Sequence, residues 1–155
     1  MAATPQSVRD FLAQRRIAVA GVSRDPRQTA NVVFRRLRDF GCQVFPVNPS
    51  TTEVEGVTCY PDLRSVPPPV EGVMIVTRPE VALDVVQECA ALGIPQVWMH
   101  RSFGPGSVSD AATRFGRERG IQVIAGGCPL MFCEPVDPFH RCMRWVLGLR
   151  RKLPA

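Results

Sequence analysis

A short stretch of small and polar residues, Gly21-Val22-Ser23-Arg24, is the part of this 155-residue chain best suited to bind phosphate. Backbone N–H groups in a glycine turn, a hydroxyl and a guanidinium all donate hydrogen bonds to phosphate oxygens. The stretch keeps only the first glycine of the G-x-G-x-x-G dinucleotide fingerprint, because Ser23 replaces the second and Pro26 the third. It indicates an anion-binding loop or a plain tight turn, and is weak as a NAD signature.

The Val-Asn-Pro sequence at 47–49 also argues against NAD. NAD-binding proteins use a carboxylate after the second strand to hold the ribose 2′-hydroxyl, and Asn48 is neutral. NADP stays open, because Arg24 or Arg27 could meet a 2′-phosphate. A small NADP-dependent oxidoreductase is therefore one alternative function.

Two further residues are candidates for reactivity. Cys128 lies in a Gly-Gly-Cys-Pro turn, where backbone N–H groups could favour the thiolate and a redox role; otherwise it is a small residue needed for close packing. His100 could act as an acid, a base or a hydrogen-bond donor to a ligand, or it is an ordinary surface histidine. Because no carboxylate pair, nucleophile elbow or metal cluster is evident, the sequence does not argue for catalysis. A thiol-redox or interaction protein acting through Cys128 is a second alternative.

Alternating strand and helix patterns must position these residues. Apolar, β-branched runs predict strands at 17–21, 43–47, 72–76, 96–99 and 121–125. Amphipathic helical patterns lie between them, and residues 5–14 predict an extra N-terminal helix. The fold class is therefore α/β: a single-domain, Rossmann-like, doubly wound sheet of five mainly parallel strands, with extra N-terminal and C-terminal helices. We expect the strand order 3-2-1-4-5, which places a ligand crevice between the first and fourth strands.

These features resemble the small CoA-binding proteins, a family related to the N-terminal domain of the succinyl-CoA synthetase α subunit. The resemblance covers nearly the whole chain. It rests on V-A-G-V-S-R-D-P at 19–26, V-N-P at 47–49, Arg78 after the third strand, V-W-M at 97–99, and Cys128-Pro129. It implies a Rossmann-like fold whose ligand is coenzyme A or an acyl-CoA, generally without a demonstrated reaction.

The resemblance also implies which residues bind the ligand. Gly21, Val22, Ser23 and Arg24 would line the phosphate loop, Asn48, Pro49 and Ser50 would lie near the nucleotide, Thr77, Arg78 and Pro79 would lie near the adenine or its phosphate, and His100 would complete the set. The chain departs from many relatives at three positions. Ser50 replaces Lys, His100 replaces Gln, and Gly127 replaces Arg, so two cations are missing unless Arg27 or Arg101 compensates.

Composition places the chain among soluble globular proteins, with 45% apolar and 21% charged residues. We expect a cytoplasmic protein with reduced cysteines, because no signal peptide, membrane-spanning run or disulfide framework is evident. The net charge is +5, but no nucleic-acid-binding module accompanies it, so a small-molecule nucleotide ligand is the expected partner. A basic amphipathic helix is predicted over 136–152. It packs on the sheet, forms a homodimer contact or lies on a membrane surface, without stable insertion.

Overall fold

The structure, a computed structural model, describes residues 3–154. Its strands are β1 (Arg16–Ala20), β2 (Gln43–Val47), β3 (Glu53–Val54), β4 (Val57–Thr58), β5 (Gly72–Ile75), β6 (Gln96–Met99) and β7 (Gln122–Ala125). Its helices are α1 (Gln6–Leu12), α2 (Thr29–Asp39), α3 (Pro79–Leu92), α4 (Asp110–Glu118) and α5 (Pro138–Leu149), with a 3₁₀ turn at Pro129–Met131. The predicted α/β class is confirmed, and each of the five predicted strands begins and ends within one residue of its expected bounds.

The strand order differs from the one we expected. In the described part of the chain, five strands form one parallel sheet in the order β2-β1-β5-β6-β7, and β3 pairs with β4 in a separate hairpin. If the five strands of this sheet are numbered 1 to 5 along the chain, as in the prediction, the order is 2-1-3-4-5. The expected order 3-2-1-4-5 is therefore wrong. All five strands are parallel, but the strand order reverses between β1 and β5. The ligand crevice is therefore expected between these two strands, not between the first and fourth predicted strands.

The connector between β2 and β5, residues 48–71, explains this order. Its Leu63 and Val66 are buried on the face of the sheet that also carries α3 and α4, in contact with the core around Val86. A right-handed crossover on that face returns the chain past β1, so β5 pairs with β1 instead of extending the sheet beyond β2.

The opposite face of the sheet is covered by α1, α2 and α5. Phe11 of α1 packs edge-on against Trp98 of β6, with ring centroids 5.4 Å apart. Met143 and Leu147 attach α5 to the same core. Among residues 3–154, no helix is both long and apolar enough to cross a bilayer.

Candidate functional site

A crevice of about 480 Å³ opens at the carboxyl ends of β1, β2 and β5. It lies beside β1 and β5, where the strand order reverses, which is the usual ligand position in an open α/β sheet. Five predicted site residues line it: Gly21, Asn48, Pro49, Thr77 and Arg78. The other lining residues, from the connector, α3 and the strand ends, include Pro61, Asp62, Leu63, Val76, Val81, Val85 and Glu88. The crevice is thus a largely apolar slot with charged groups among its lining.

Gly21 closes the end of β1 in a conformation that requires glycine. Its φ is +107°, and a Cβ at this position would lie 2.1 Å from the carbonyl oxygen of Val76. The Gly21 N–H donates to the Val47 carbonyl at 3.0 Å, and the Val76 N–H donates to the Ala20 carbonyl at 3.0 Å. The absent side chain therefore lets three strand ends approach each other at the crevice.

The loop after Gly21 is held by a residue that the sequence did not single out. Asn31 of α2 is buried; its Oδ1 accepts from the Ser23 N–H at 3.0 Å and its Nδ2 donates to the Ser23 carbonyl at 2.7 Å. Nδ2 also donates to Glu55 at 2.8 Å, and Glu55 pairs with Arg35 at 2.6 Å. This network fixes the backbone around Ser23, whereas Ser23 Oγ bonds only locally, to the backbone of Asp25.

Asn48 supports the first loop with its side chain. Its Nδ2 donates to the Val22 carbonyl at 2.9 Å, and its Oδ1 accepts from the Ser50 N–H at 2.8 Å. Both ends of the amide are engaged, so Asn48 is suited to position Val22 as well as to line the crevice. Val22 itself is buried, and neither Val22 nor Ser50 lines the crevice.

The third loop leads directly into α3. Arg78 is the N-cap residue, without a side-chain capping bond, and Pro79 is the first residue of the helix. The carbonyl of Thr77 accepts a 2.6 Å hydrogen bond from the hydroxyl of buried Ser107, which ties this loop to the segment after β6. Pro79 has no N–H, and the Val81 N–H donates to the Arg78 carbonyl at 3.0 Å, so this end of α3 offers a ligand mainly its helix dipole rather than a set of free N–H groups.

The charged groups near the crevice differ in what holds them. Arg24 and Arg78 are exposed and form no ion pair with any described residue, whereas Arg27 pairs with Asp25 at 3.0 Å. Hydrogen bonds from Ser65 lower the pKa of Asp62, which stays ionised at neutral pH. Arg78 lines the crevice together with the carboxylates of Asp62 and Glu88, whereas Arg24 lies on the loop after Gly21 and is not part of the lining. Arg27 is the weaker replacement for a missing family cation, because it is already paired.

His100 is not a surface residue. It is only 6% exposed, so the alternative of an ordinary surface histidine is wrong, and burial lowers its pKa to about 4. Its Nε2 has no hydrogen-bond partner among residues 3–154. The ring is neutral at pH 7 and does not line the crevice, so its contact with a ligand stays a prediction.

Cys128 does not have the properties of a reactive thiol. It is 3% exposed, and burial raises its pKa to about 12. Of the two alternatives for Cys128, the thiolate is therefore wrong, and a small residue in close packing fits this position.

The surroundings of the neighbouring Gly127 leave no room for the arginine that many relatives carry at this position. A Cβ at Gly127 would lie 2.9 Å from the ring of Pro154, and the φ of Gly127 is +79°. The C-terminal segment thus occupies the space that a side chain would need. Arg101 lies close by, with its guanidinium 3.1 Å from where a Cβ of Gly126 would be. It follows β6, the strand next to β5, and does not line the crevice.

Comparisons with known proteins agree with this architecture. The profile of a family described as CoA binding domain matches residues 15–134. The uncharacterised protein YneT of Bacillus subtilis is 31% identical over 114 residues, which are 74% of this chain and 82% of that protein. A solved structure of a hypothetical protein from Pyrococcus horikoshii OT3 has a TM-score of 0.73 and 27% identity, covering 83% of this chain and 92% of that one.

A longer enzyme subunit is also similar. The α subunit of ADP-forming acetate–CoA ligase II from Pyrococcus furiosus is 34% identical over 126 residues. The match covers 76% of this chain but only 27% of that subunit, so this chain corresponds to about a quarter of it.

Proposed function

Because this chain belongs to the CoA-binding domain family, we propose that it binds coenzyme A or an acyl-CoA in the crevice between β1, β2 and β5, without chemistry of its own. The observation that carries the proposal is the position of the crevice. It lies where the strand order reverses, and it is bordered by the three loops predicted to bind the nucleotide. Its volume lies within the range typical of small-molecule sites.

The nucleotide end of the ligand fits the crevice best. The apolar side chains of Leu63, Val81 and Val85 offer a surface for the adenine ring, and the Asp62 carboxylate offers a hydrogen-bond acceptor for its amino group. We propose that the rest of the ligand continues outside the crevice, past the loop that carries Ser23 and Arg24.

The phosphates would be held by backbone and guanidinium groups. Arg24 and Arg78 are exposed on two loops at the same edge of the sheet, and a guanidinium binds phosphate oxygens bidentately. The N-terminus of α3 adds a favourable helix dipole. We propose that these groups compensate for the family cations absent at Ser50 and Gly127.

In this proposal the protein is a cytoplasmic carrier or sensor that releases its ligand unchanged. The described side chains around the crevice include no His, Cys or Ser held by a neighbouring base, which acyl transfer would need. CoA is accordingly a reversible ligand. The ligase subunit is a much longer protein, so a catalytic role would require further polypeptide.

Calorimetric titration at low salt with CoA, NADPH and NADH tests the proposal. We expect CoA to bind more tightly than either nicotinamide nucleotide. Arg24→Ala or Arg78→Ala should each weaken CoA binding about tenfold, because one charge-assisted phosphate contact is lost. Arg117→Ala is the matched control, since Arg117 is exposed near the end of α4, at the opposite edge of the sheet. A preference for NADPH would instead support the oxidoreductase alternative, and no binding of CoA at millimolar concentration would refute the proposal.

A further inference from the structure

The outward face of α5 is apolar, although the opposite face of the same helix already packs on the core. We define the α5 outer face as Pro138, Phe139, Cys142, Trp145, Val146 and Leu149. Phe139, Trp145 and Leu149 are 63%, 62% and 67% exposed. With 3.6 residues per turn, the six residues span an arc of about 120° that contains no charged side chain. A helix that is apolar on both faces is typical of one that is buried on both.

The two ends of the α5 outer face carry opposite charge. Exposed carboxylates of Glu134 and Asp137 lie at the N-terminal end of the helix, where Asp137 pairs with His140 at 2.6 Å. The exposed Arg141 lies near the same end, so this end carries two carboxylates against one arginine. The exposed cations Arg150, Arg151 and Lys152 lie at its C-terminal end. The surface is therefore an apolar stripe with an acidic end and a basic end.

We propose that a second copy of this chain covers the α5 outer face, with the two α5 helices packed antiparallel about a two-fold axis. In this arrangement the acidic end of each helix faces the basic end of the other, so the charges complement each other twice. The antiparallel helix dipoles also favour it. The inference is independent of the proposed ligand.

An anionic membrane surface complements this stripe less well than a second copy does. Lipid phosphates would attract the basic end but repel Glu134 and Asp137, which flank the same apolar residues. A second copy satisfies both ends at once.

The proposed pairing fixes a register. In this register, Phe139 of one copy lies opposite Leu149 of the other. The two-fold axis then passes midway between them, at the level of residue 144. Each Cys142 then lies two residues from the axis, so the two Cys142 residues are offset by about 6 Å along the helices. Cys142 is exposed, whereas the other five cysteines are buried. A short bis-maleimide should therefore link two copies through this residue, and Cys142→Ser should abolish the product.

Sedimentation velocity over a range of concentrations tests the association directly. The chain has a mass of 17.1 kDa, so we expect a species of about 34 kDa (2 × 17.1 kDa) to form in the micromolar range. The double variant Trp145→Gln, Leu149→Gln should stay monomeric with an unchanged circular dichroism spectrum. Phe103→Gln is the matched control, because Phe103 is 59% exposed but lies outside α5. A wild-type chain that stays monomeric at millimolar concentration would overturn the proposal.

Charge reversal tests the antiparallel arrangement separately from the apolar contact. Arg150→Glu with Arg151→Glu should weaken dimerisation at low salt at least tenfold, and 0.5 M NaCl should recover part of the loss, because salt screens the new repulsion. Dimerisation unaffected by this reversal would contradict the arrangement. Monomeric protein whose Trp145 emission shifts only with phosphatidylserine vesicles would overturn the dimer in favour of a membrane contact.

Discussion

Exposure separates Cys142 from the other five cysteines of the chain. Burial raises the pKa of Cys128 and of Cys133 to about 12, so neither forms a thiolate at neutral pH. We predict that a thiol reagent at pH 8 titrates one cysteine per folded chain and all six in denaturant. Cys142→Ser should remove the fast reaction. Rapid labelling of Cys128 in the folded chain would revive the redox interpretation.

His100 makes folding stability depend on pH. Its pKa is about 4 in the folded state, against an ordinary value of about 6.5 for an unfolded chain. The unfolded chain therefore binds the proton first as pH falls, and stability that is complete above pH 6.5 is lost towards pH 4, by up to about 3 kcal/mol. Urea unfolding of wild type and His100→Gln across this range should give curves that diverge as pH decreases. Parallel curves would show that the imidazole is accessible to protons in the folded state.

Asn31 shows why parts of the site escaped prediction at the level of single residues. The sequence identifies loops after strands, because glycine, proline and polar residues interrupt apolar runs. It does not show which side chain, eight residues further along, folds back to bond both backbone groups of Ser23. Asn31 lies within a helical pattern, where an Asn would ordinarily be expected to face solvent.

At the scale of elements, Gly21 and Gly41 form a matched pair for testing the close approach of β1 and β5. Their φ angles are +107° and +109°, but a Cβ on Gly41 would meet no atom within 4 Å, whereas one on Gly21 would strike the Val76 carbonyl. We predict that Gly41→Ala costs about 1–2 kcal/mol of unfolding free energy from the backbone conformation alone. Gly21→Ala should cost about 4 kcal/mol or more, because the strand ends must also separate.

Chemical denaturation of both glycine variants measures this difference. Equal losses would mean that β1 and β5 can separate at Gly21 without cost. The crevice would then be less rigid than the hydrogen bonds from Gly21 and Val76 indicate.

The strand order was less accessible to sequence reasoning than the strands themselves. Apolar runs bounded by loops predict a buried strand directly, and the five bounds agree to within a residue. Which strands are neighbours depends on the face that the 48–71 connector covers. That segment has no helical periodicity, and its contacts through Leu63 and Val66 are visible only in the fold.

At the scale of the whole molecule, cations are distributed between two regions with different proposed partners. Arg24 and Arg78 lie on loops at the crevice edge, whereas Arg150, Arg151 and Lys152 follow the α5 outer face. A net charge of +5 therefore supports both an anionic ligand and complementary self-association, and substitutions in one region should leave the other activity intact.

The most direct test of the central claim is a calorimetric titration of the reduced protein that compares CoA with 3′-dephospho-CoA at low salt. If the crevice binds the nucleotide end and the free guanidinium groups of Arg24 and Arg78 pair with its phosphates, CoA should bind at least tenfold more tightly than the dephosphorylated form. Increasing the salt concentration should reduce this difference in affinity between the two ligands, because salt screens charge pairing. Equal affinity for the two ligands would contradict the assignment of these cations to the 3′-phosphate, and no heat with either would contradict CoA binding itself.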